Sequence, residues 1–167
     1  IIVIKIASKK ENVMKKNKLI AALIQTNATY DKTDNLKRVA KMLKEAAKKK
    51  ADFILLPEFF NQRSRGKKRL QSESIPGEST ALLMDFAAEH NCCILAGSLC
   101  ETVQNSKRMR NTSVLINEKG KVAAIYHKIH MFDVTVHGKK VRESSSYIPG
   151  NETVIGNVDR KSTRLNS

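Results

Sequence analysis

The sequence predicts an α/β fold with a mixed sheet, and three observations lead to that prediction. Short apolar runs without alternation, such as 53–56, are typical of strands buried on both faces. Segments with helical periodicity separate these runs. Strand-like segments on both sides of the turn 117–120 indicate a hairpin. The order strand, helix, strand, helix, strand, hairpin therefore predicts α/β layers around a mixed sheet.

The first predicted elements are a strand and a helix. The apolar run 19–24 predicts the first buried strand. A helix over 32–50 should follow, because Asp31, Thr33 and Asp34 can each cap its N-terminus. Lysines cover one face of this helix. The opposite, buried face is spaced at helical intervals and comprises Leu36, Val39, Ala40, Leu43 and Ala47.

The next strand, 53–56, should end at Pro57, which cannot donate to a strand ladder. A second helix, capped by Ser79 or Thr80, should then end at 90–91. Its buried residues are predicted to be Leu82, Leu83, Phe86 and Ala87. The remaining predicted strands are 92–97, the hairpin 114–116 with 122–126, and 153–158 after a Pro-Gly turn.

Composition limits the class of protein. The chain has 167 residues, enough for one domain with a core, and 41% of them are hydrophobic. The net charge of +15 is spread over 1–18, 32–50 and 63–69, and only the last is a compact basic run. No aromatic residues interleave with that run to stack on bases. A solvated lysine-rich surface is therefore favoured over a nucleic-acid site.

The sequence also bears on location and cofactors. No apolar run approaches the ~20 residues of a membrane helix, and 1–6 is a poor signal peptide. Three cysteines, two of them adjacent, favour a reducing intracellular setting, the cytoplasm or an organelle. Phosphate-binding glycine loops and the G-x-S-x-G elbow are missing from the sequence, and we expect no cofactor.

Glu58 lies just past the strand 53–56, among Phe59, Phe60 and Asn61. In α/β folds, catalytic groups collect at this end of the strands. An acid among apolar side chains tends to be desolvated, a state that suits a general base. The alternative is a structural carboxylate paired with a nearby Lys or Arg, and this segment alone favours that alternative.

Lys128 also follows an apolar strand, where a cation can stabilise an oxyanion. His127, His130 and Asp133 suggest a metal site, but their spacing matches no zinc signature, so ordinary polar roles are favoured and no metal is expected. Glu143 stands in a polar loop, and its default interpretation is a solvated acid.

In this order, these segments resemble the carbon–nitrogen hydrolase (nitrilase) superfamily over most of 14–158. The string 128–134, followed by 143–144 and 149–150, is most similar to the Nit branch, whose members are omega-amidase-like. The segment 55–61 is similar to the family's glutamate motif, and 126–128 is similar to its lysine motif. The other matching segments are 76–80, 96–98, 111–113 and the turn at 120.

The resemblance implies a four-layer α-β-β-α sandwich, incomplete in this chain, with two helices on one face of a mixed sheet. It also implies a Glu-Lys-Cys triad that cleaves a small carboxylate-bearing amide, such as an omega-amide of a 2-oxo acid, through a thioester. By position, Glu58 is the general base, Lys128 the oxyanion stabiliser and Glu143 a supporting glutamate. A homo-oligomeric parent protein is expected.

The resemblance further implies that the nucleophilic cysteine is absent from this chain, because it should follow a strand like 153–158. Cys92 and Cys93 are interpreted as core residues. Cys100 ends a strand but precedes Lys128, which is the wrong chain order.

We therefore expect a leader or upstream read-through at 1–13, a partial domain at 14–159 and a non-native, adapter-like tail at 160–167. Such a fragment should be inactive and prone to aggregate, and cooperative unfolding of soluble 14–159 would contradict this. Arg63, Arg65 and 67–69 could attract an anionic substrate, although a solvated loop fits equally well. The alternative functions are a non-catalytic binding or dimerisation module and, less favoured, a basic nucleic-acid binder.

Overall fold

The computed structural model describes residues 2–7, 19–64 and 70–159. The predicted α/β class is confirmed. A 3₁₀ turn occupies Glu143–Ser145. The elements in chain order are β1 Ile2–Ala7, β2 Ala21–Leu23, α1 Lys32–Lys48, β3 Phe53–Leu55, α2 Glu78–His90, β4 Cys93–Glu101, β5 Arg110–Ile116, β6 Val122–His127, β7 Asp133–Val136, β8 Lys139–Arg142 and β9 Val154–Asp159.

The central sheet has five strands in the order β2-β3-β4-β5-β6. β2, β3 and β4 are parallel, whereas β4, β5 and β6 are antiparallel. The sheet is therefore mixed, as predicted. β3 and β4 carry continuous apolar runs, because most of their residues are covered on both faces. β2 is an edge strand whose Leu23 is 79% exposed, so the prediction of a buried strand at 19–24 is wrong.

Helix starts depend on local hydrogen bonds. α1 is capped by Asp31, whose carboxylate accepts from the Asp34 N–H at 2.9 Å. α2 is capped by Gly77, so the prediction of Ser79 or Thr80 is wrong. A Cβ at position 77 would lie 2.4 Å from the Ser74 carbonyl oxygen, and only glycine fits this tight turn. The Thr80 hydroxyl instead accepts from the Gly77 N–H at 2.7 Å.

The main core lies between the sheet and both helices. Alternate residues of β3, β4 and β5, such as Ile54, Ile94 and Val114, face this core and are fully buried. Their partners are Leu36, Val39 and Leu43 of α1 and Leu83, Phe86 and Ala87 of α2. The intervening residues Phe53, Cys93 and Leu115 form a second cluster on the opposite face. Both helices thus cover the same face of the sheet, as expected.

β9 lies across the opposite face of the sheet and pairs in parallel with β1. A Cβ at Gly156 would be 2.3 Å from Leu115 Cδ2 and 3.4 Å from Ala124 Cβ, so glycine lets β9 approach closely. The described residues therefore stack as a helix layer, a five-stranded sheet and a two-stranded sheet.

The predicted domain boundaries stay predictions. Residues 2–7 of the predicted leader form β1. Its residues 1 and 8–13 and the predicted tail 160–167 lie outside the described residues, as do Arg65 and 67–69.

The hairpin of β7 and β8 is a feature that sequence analysis missed. Its strands pair antiparallel, and its turn residues His137 and Gly138 have φ of 48° and 73°. Two consecutive positive φ values match a type I′ turn. The strands are largely exposed and rich in charged residues, and their three valines, Val134, Val136 and Val141, give only a weak strand signal. Among the described residues, no helix is long and apolar enough to cross a membrane.

Candidate active site

Three of the predicted site residues meet at one edge of the central sheet. Glu58 follows β3, Lys128 follows β6, and Glu143 begins the 3₁₀ turn. Lys128 Nζ lies 3.4 Å from Glu58 Oε1 and 3.0 Å from Glu143 Oε1. One cation therefore stands between two carboxylates that are far apart in the sequence.

Glu58 is more exposed than expected. Its side chain is 56% exposed, so the prediction of a desolvated carboxylate is wrong. The reason is the direction of its neighbours, because Phe60 points into the helix-side core and is fully buried. Phe59 has a φ of +53°, a left-handed conformation that turns the chain sharply after Glu58.

Gly97 and Ser98 of β4 hold the loop that carries Glu58. The Ser98 hydroxyl accepts from the Phe59 N–H at 3.1 Å and is buried. A Cβ at Gly97 would be 2.1 Å from the Leu56 carbonyl oxygen and 2.3 Å from that of Pro57. The absence of a side chain at position 97 therefore lets β4 and the Glu58 loop pack against each other.

We expect Gly97→Ala to destabilise the protein by about 3 kcal/mol, because the added methyl group would displace the backbone before Glu58. Gly138→Ala is the comparison, since its Cβ meets nothing within 4 Å and only its φ of +73° opposes the change. That conformational cost is about 1 kcal/mol. Chemical denaturation of both variants measures the difference. A smaller loss for Gly97→Ala than for Gly138→Ala would contradict the packing argument.

Lys128 is fixed through its backbone. Its N–H donates to the Asn111 carbonyl at 2.9 Å, and its carbonyl accepts from the Gly150 N–H at 2.8 Å. A Cβ at Gly150 would lie 2.5 Å from the His127 carbonyl oxygen, so the Pro-Gly turn needs glycine to approach β6. The side chain of Lys128 is 29% exposed.

The charge state of Lys128 follows from these neighbours. Burial by itself lowers the pKa of Lys128, but the hydrogen bond that Lys128 donates to Glu143 and the charges of Glu58 and Glu143 outweigh it. The pKa of Lys128 is therefore raised above its ordinary value. The side chain remains a cation at neutral pH.

Glu143 is not the solvated loop acid of the default interpretation. Its side chain is only 13% exposed. One oxygen accepts from Lys128 Nζ at 3.0 Å, and the other accepts from the Phe132 N–H at 2.5 Å. The 3₁₀ turn places the Glu143 carboxylate beside Phe132, just before the hairpin, and both carboxylate oxygens are hydrogen-bonded there.

Asn111 also belongs to the site, although sequence analysis gave it no role. Its Nδ2 donates to Glu58 Oε1 at 2.7 Å, and the residue is 3% exposed. Asn111 lies at the polar start of β5, just before the apolar run 114–116, and this position is a signal that could have found it, because a buried amide needs a partner.

The residues considered for a metal have separate partners. His127 Nε2 lies 2.9 Å from Glu101 Oε2. Asp133 accepts from the N–H and the hydroxyl of Ser144, at 3.0 and 2.5 Å. His130 is exposed. Within 2–7, 19–64 and 70–159, no three His, Cys, Asp or Glu side chains are grouped to hold a metal ion.

All three cysteines are buried. Burial raises the pKa of Cys93 to about 12 and that of Cys100 to about 11. Cys100 Sγ lies 3.3 Å from the buried Tyr147 hydroxyl. Cys92 is 1% exposed. These surroundings fit packing residues rather than an attacking thiolate.

We expect Cys93 and Cys100 to resist alkylation by iodoacetamide at pH 7 in the folded protein. A thiol with a pKa of about 11 is deprotonated in about 1 molecule in 10⁴ at this pH. Mass spectrometry after timed labelling measures the modification, and a urea-unfolded sample is the control that should label quickly. Rapid native labelling of Cys100 would contradict its burial.

These residues lie within a stretch of the chain that matches a known sequence family. The sequence model of the carbon-nitrogen hydrolase family matches residues 20–162. The chain belongs to this family. Omega-amidase NIT2-B from Xenopus laevis is 38% identical over 132 residues, which cover 77% of this chain and 47% of that protein. Human omega-amidase NIT2 is 37% identical over 131 residues, with the same coverage. The chain thus spans about half the length of these relatives.

Solved structures agree on the fold. The NitFhit protein from C. elegans superposes with a TM-score of 0.68 at 24% identity, covering 79% of this chain and 33% of that one. Nit3 from Saccharomyces cerevisiae, a member of the nitrilase superfamily, gives 0.62 at 24% identity, covering 80% and 49%. The predicted nitrilase-type α/β fold is therefore confirmed.

Proposed function

We propose that this chain supplies the general base, the oxyanion-stabilising cation and the supporting glutamate of an amidase. The observation that carries the proposal is the position of Lys128, with its Nζ 3.4 Å from Glu58 and 3.0 Å from Glu143. A fixed cation beside an accessible carboxylate suits acyl transfer, in which a proton moves and an oxyanion forms.

The proposed reaction uses each group in turn. A cysteine thiol loses its proton to Glu58 and attacks the amide carbonyl carbon. Lys128 stabilises the tetrahedral oxyanion. Glu58 returns the proton to the departing ammonia, which leaves a thioester. Water then attacks the thioester, giving one proton to Glu58, which passes it back to the thiolate as the carboxylic acid leaves.

Glu143 is proposed to support Lys128 rather than to react. Both of its oxygens are hydrogen-bonded, whereas the exposed Glu58 is accessible. Glu143 would hold the ammonium group in place and keep it charged throughout the cycle.

The thiol is proposed to come from outside the described residues, because Cys93 and Cys100 are buried with raised pKa values and Cys92 is 1% exposed. Gly150 lies beside His127, and Gly156 lies over Leu115, so β9 leads away from Lys128. A segment that followed β9 and turned back beside it would return to the site, which is where the family resemblance puts the nucleophile.

The proposed substrate is a small amide that also carries a carboxylate, such as an omega-amide of a 2-oxo acid. Similarity to proteins named omega-amidase supports this class. The net charge of +15 would favour the approach of an anion. Arg63, which is exposed just beyond Glu58, is one group that could contribute, with a solvated loop as the alternative.

Ammonia release by the full-length protein tests the proposal. We expect turnover of a 2-oxo acid omega-amide and much weaker turnover of the matched amide whose carboxylate is esterified. Turnover of neither would contradict the amidase proposal and favour a binding module. Equal turnover of both would leave an amidase without the proposed carboxylate preference.

A further inference from the structure

We infer that Asn111 is the positioning residue of Glu58. In this inference Asn111 holds carboxylate oxygen Oε1, and Oε2 is the oxygen that exchanges protons with the reacting groups. The inference rests on the proposed function, because it concerns how the proposed base is oriented.

The contacts of the Glu58 carboxylate are one-sided. Asn111 Nδ2 donates to Oε1 at 2.7 Å, and Lys128 Nζ lies 3.4 Å from that same oxygen. Within the described part of the chain, both side-chain contacts of this carboxylate end on Oε1. Among the described side chains, none donates a hydrogen bond to Oε2, so this oxygen can accept a proton.

Packing does not orient Glu58. Its side chain is 56% exposed, so several rotamers would be open to it without a specific partner. Asn111 is 3% exposed, and its Cα pairs with Cys100 of β4. Its carbonyl also accepts the Lys128 N–H at 2.9 Å. A rigid strand residue is therefore linked to both the base and the cation.

The residue type fits this role. If the amide were reversed, Asn111 Oδ1 would face a carboxylate oxygen with no proton between them, so Nδ2 is the atom that faces Glu58. An amide donates without adding charge, whereas an aspartate at position 111 would put a second carboxylate against the first. Asparagine can thus orient the carboxylate and leave it free to accept a proton.

The kinetic test compares Asn111→Ala and Asn111→Asp in the full-length protein. We expect kcat to fall about 10–100-fold, because misplacing a catalytic group by about 1 Å costs up to about 100-fold. KM should stay within about twofold, since Asn111 does not contact substrate in this inference. Asn157→Asp is the matched control, because it makes the same chemical change at an exposed position of β9.

A double-mutant cycle of thermal stability tests the contact between Asn111 and Glu58 without relying on activity. In Glu58→Gln/Asn111→Asp the donor and acceptor are exchanged, so the double variant should regain most of the Tm that Asn111→Asp loses. It should remain inactive, because glutamine is no base.

Additive Tm losses, or an unchanged kcat in both single variants, would overturn the inference. A wild type that hydrolyses no amide would instead overturn the proposed function, while the Tm cycle would still show whether Asn111 holds Glu58.

Discussion

Glu58→Gln is expected to lower kcat for amide hydrolysis by about 10³-fold in the full-length protein. General acid–base catalysis contributes about 10²–10⁴-fold, and a carboxamide cannot take the thiol proton or return it to ammonia. Stability should change little, because the side chain is 56% exposed and glutamine has the same shape. Its carbonyl oxygen can still accept the hydrogen bond from Asn111.

Ammonia release and thermal unfolding, measured on the same preparation, separate these two effects. Glu45→Gln is a matched control: Glu45 is 59% exposed and pairs with Lys48 at 2.9 Å on the surface of α1, away from the site. It should keep wild-type turnover. Near-wild-type turnover of Glu58→Gln would remove Glu58 from the role of base.

Lys128→Met is expected to reduce kcat by about 10²–10³-fold and also to destabilise the protein. Removing one stabiliser of an oxyanion costs about this much in rate. Glu143 would lose its cationic partner while remaining 13% exposed, which should cost about 1–3 kcal/mol. Glu58 and Glu143 would also lose the cation between them.

Lys128→Arg separates charge from geometry. It should restore most of the stability and little of the rate, because the planar guanidinium cannot occupy the position of the ammonium group. Lys48→Met removes a surface cation that is also paired with a glutamate, and it should change neither the stability nor kcat appreciably. Denaturation and turnover assays check these outcomes, and unchanged kcat in Lys128→Met would exclude its proposed role.

The pH dependence of this pair has a defined sign. Because the pKa of Lys128 is raised in the folded protein, its contribution to stability is present at neutral pH. That contribution should disappear only as the pH rises through the raised value, above about 10.5. The Lys128→Met variant should lack this alkaline loss.

Local sequence patterns predicted most of the regular structure. The run 53–56 is apolar enough to be a buried strand, and Asp31 caps α1 because its carboxylate reaches an N–H three residues ahead. The start of α2 was misjudged because a tight turn, not a side chain, selects Gly77 as its cap. The β7–β8 hairpin was missed because exposed strands need no apolar pattern.

The sequence by itself determined the residue types of the candidate site. It identified an acid after one apolar strand, a lysine after another and a second acid before a Pro-Gly turn, and with them the family and the chemistry that we propose. Each of these signals lies within a few residues of the chain, which is why pattern and motif could reveal it.

Only the tertiary structure decided how those residues meet. Folding brings Asn111 within hydrogen-bond distance of Glu58 and places Lys128 between two acids that lie 70 and 15 residues away. It also reversed the expected environments, because the Glu58 side chain is 56% exposed and the Glu143 side chain only 13%. Burial depends on neighbours that folding brings from distant segments, and no local pattern contains that information.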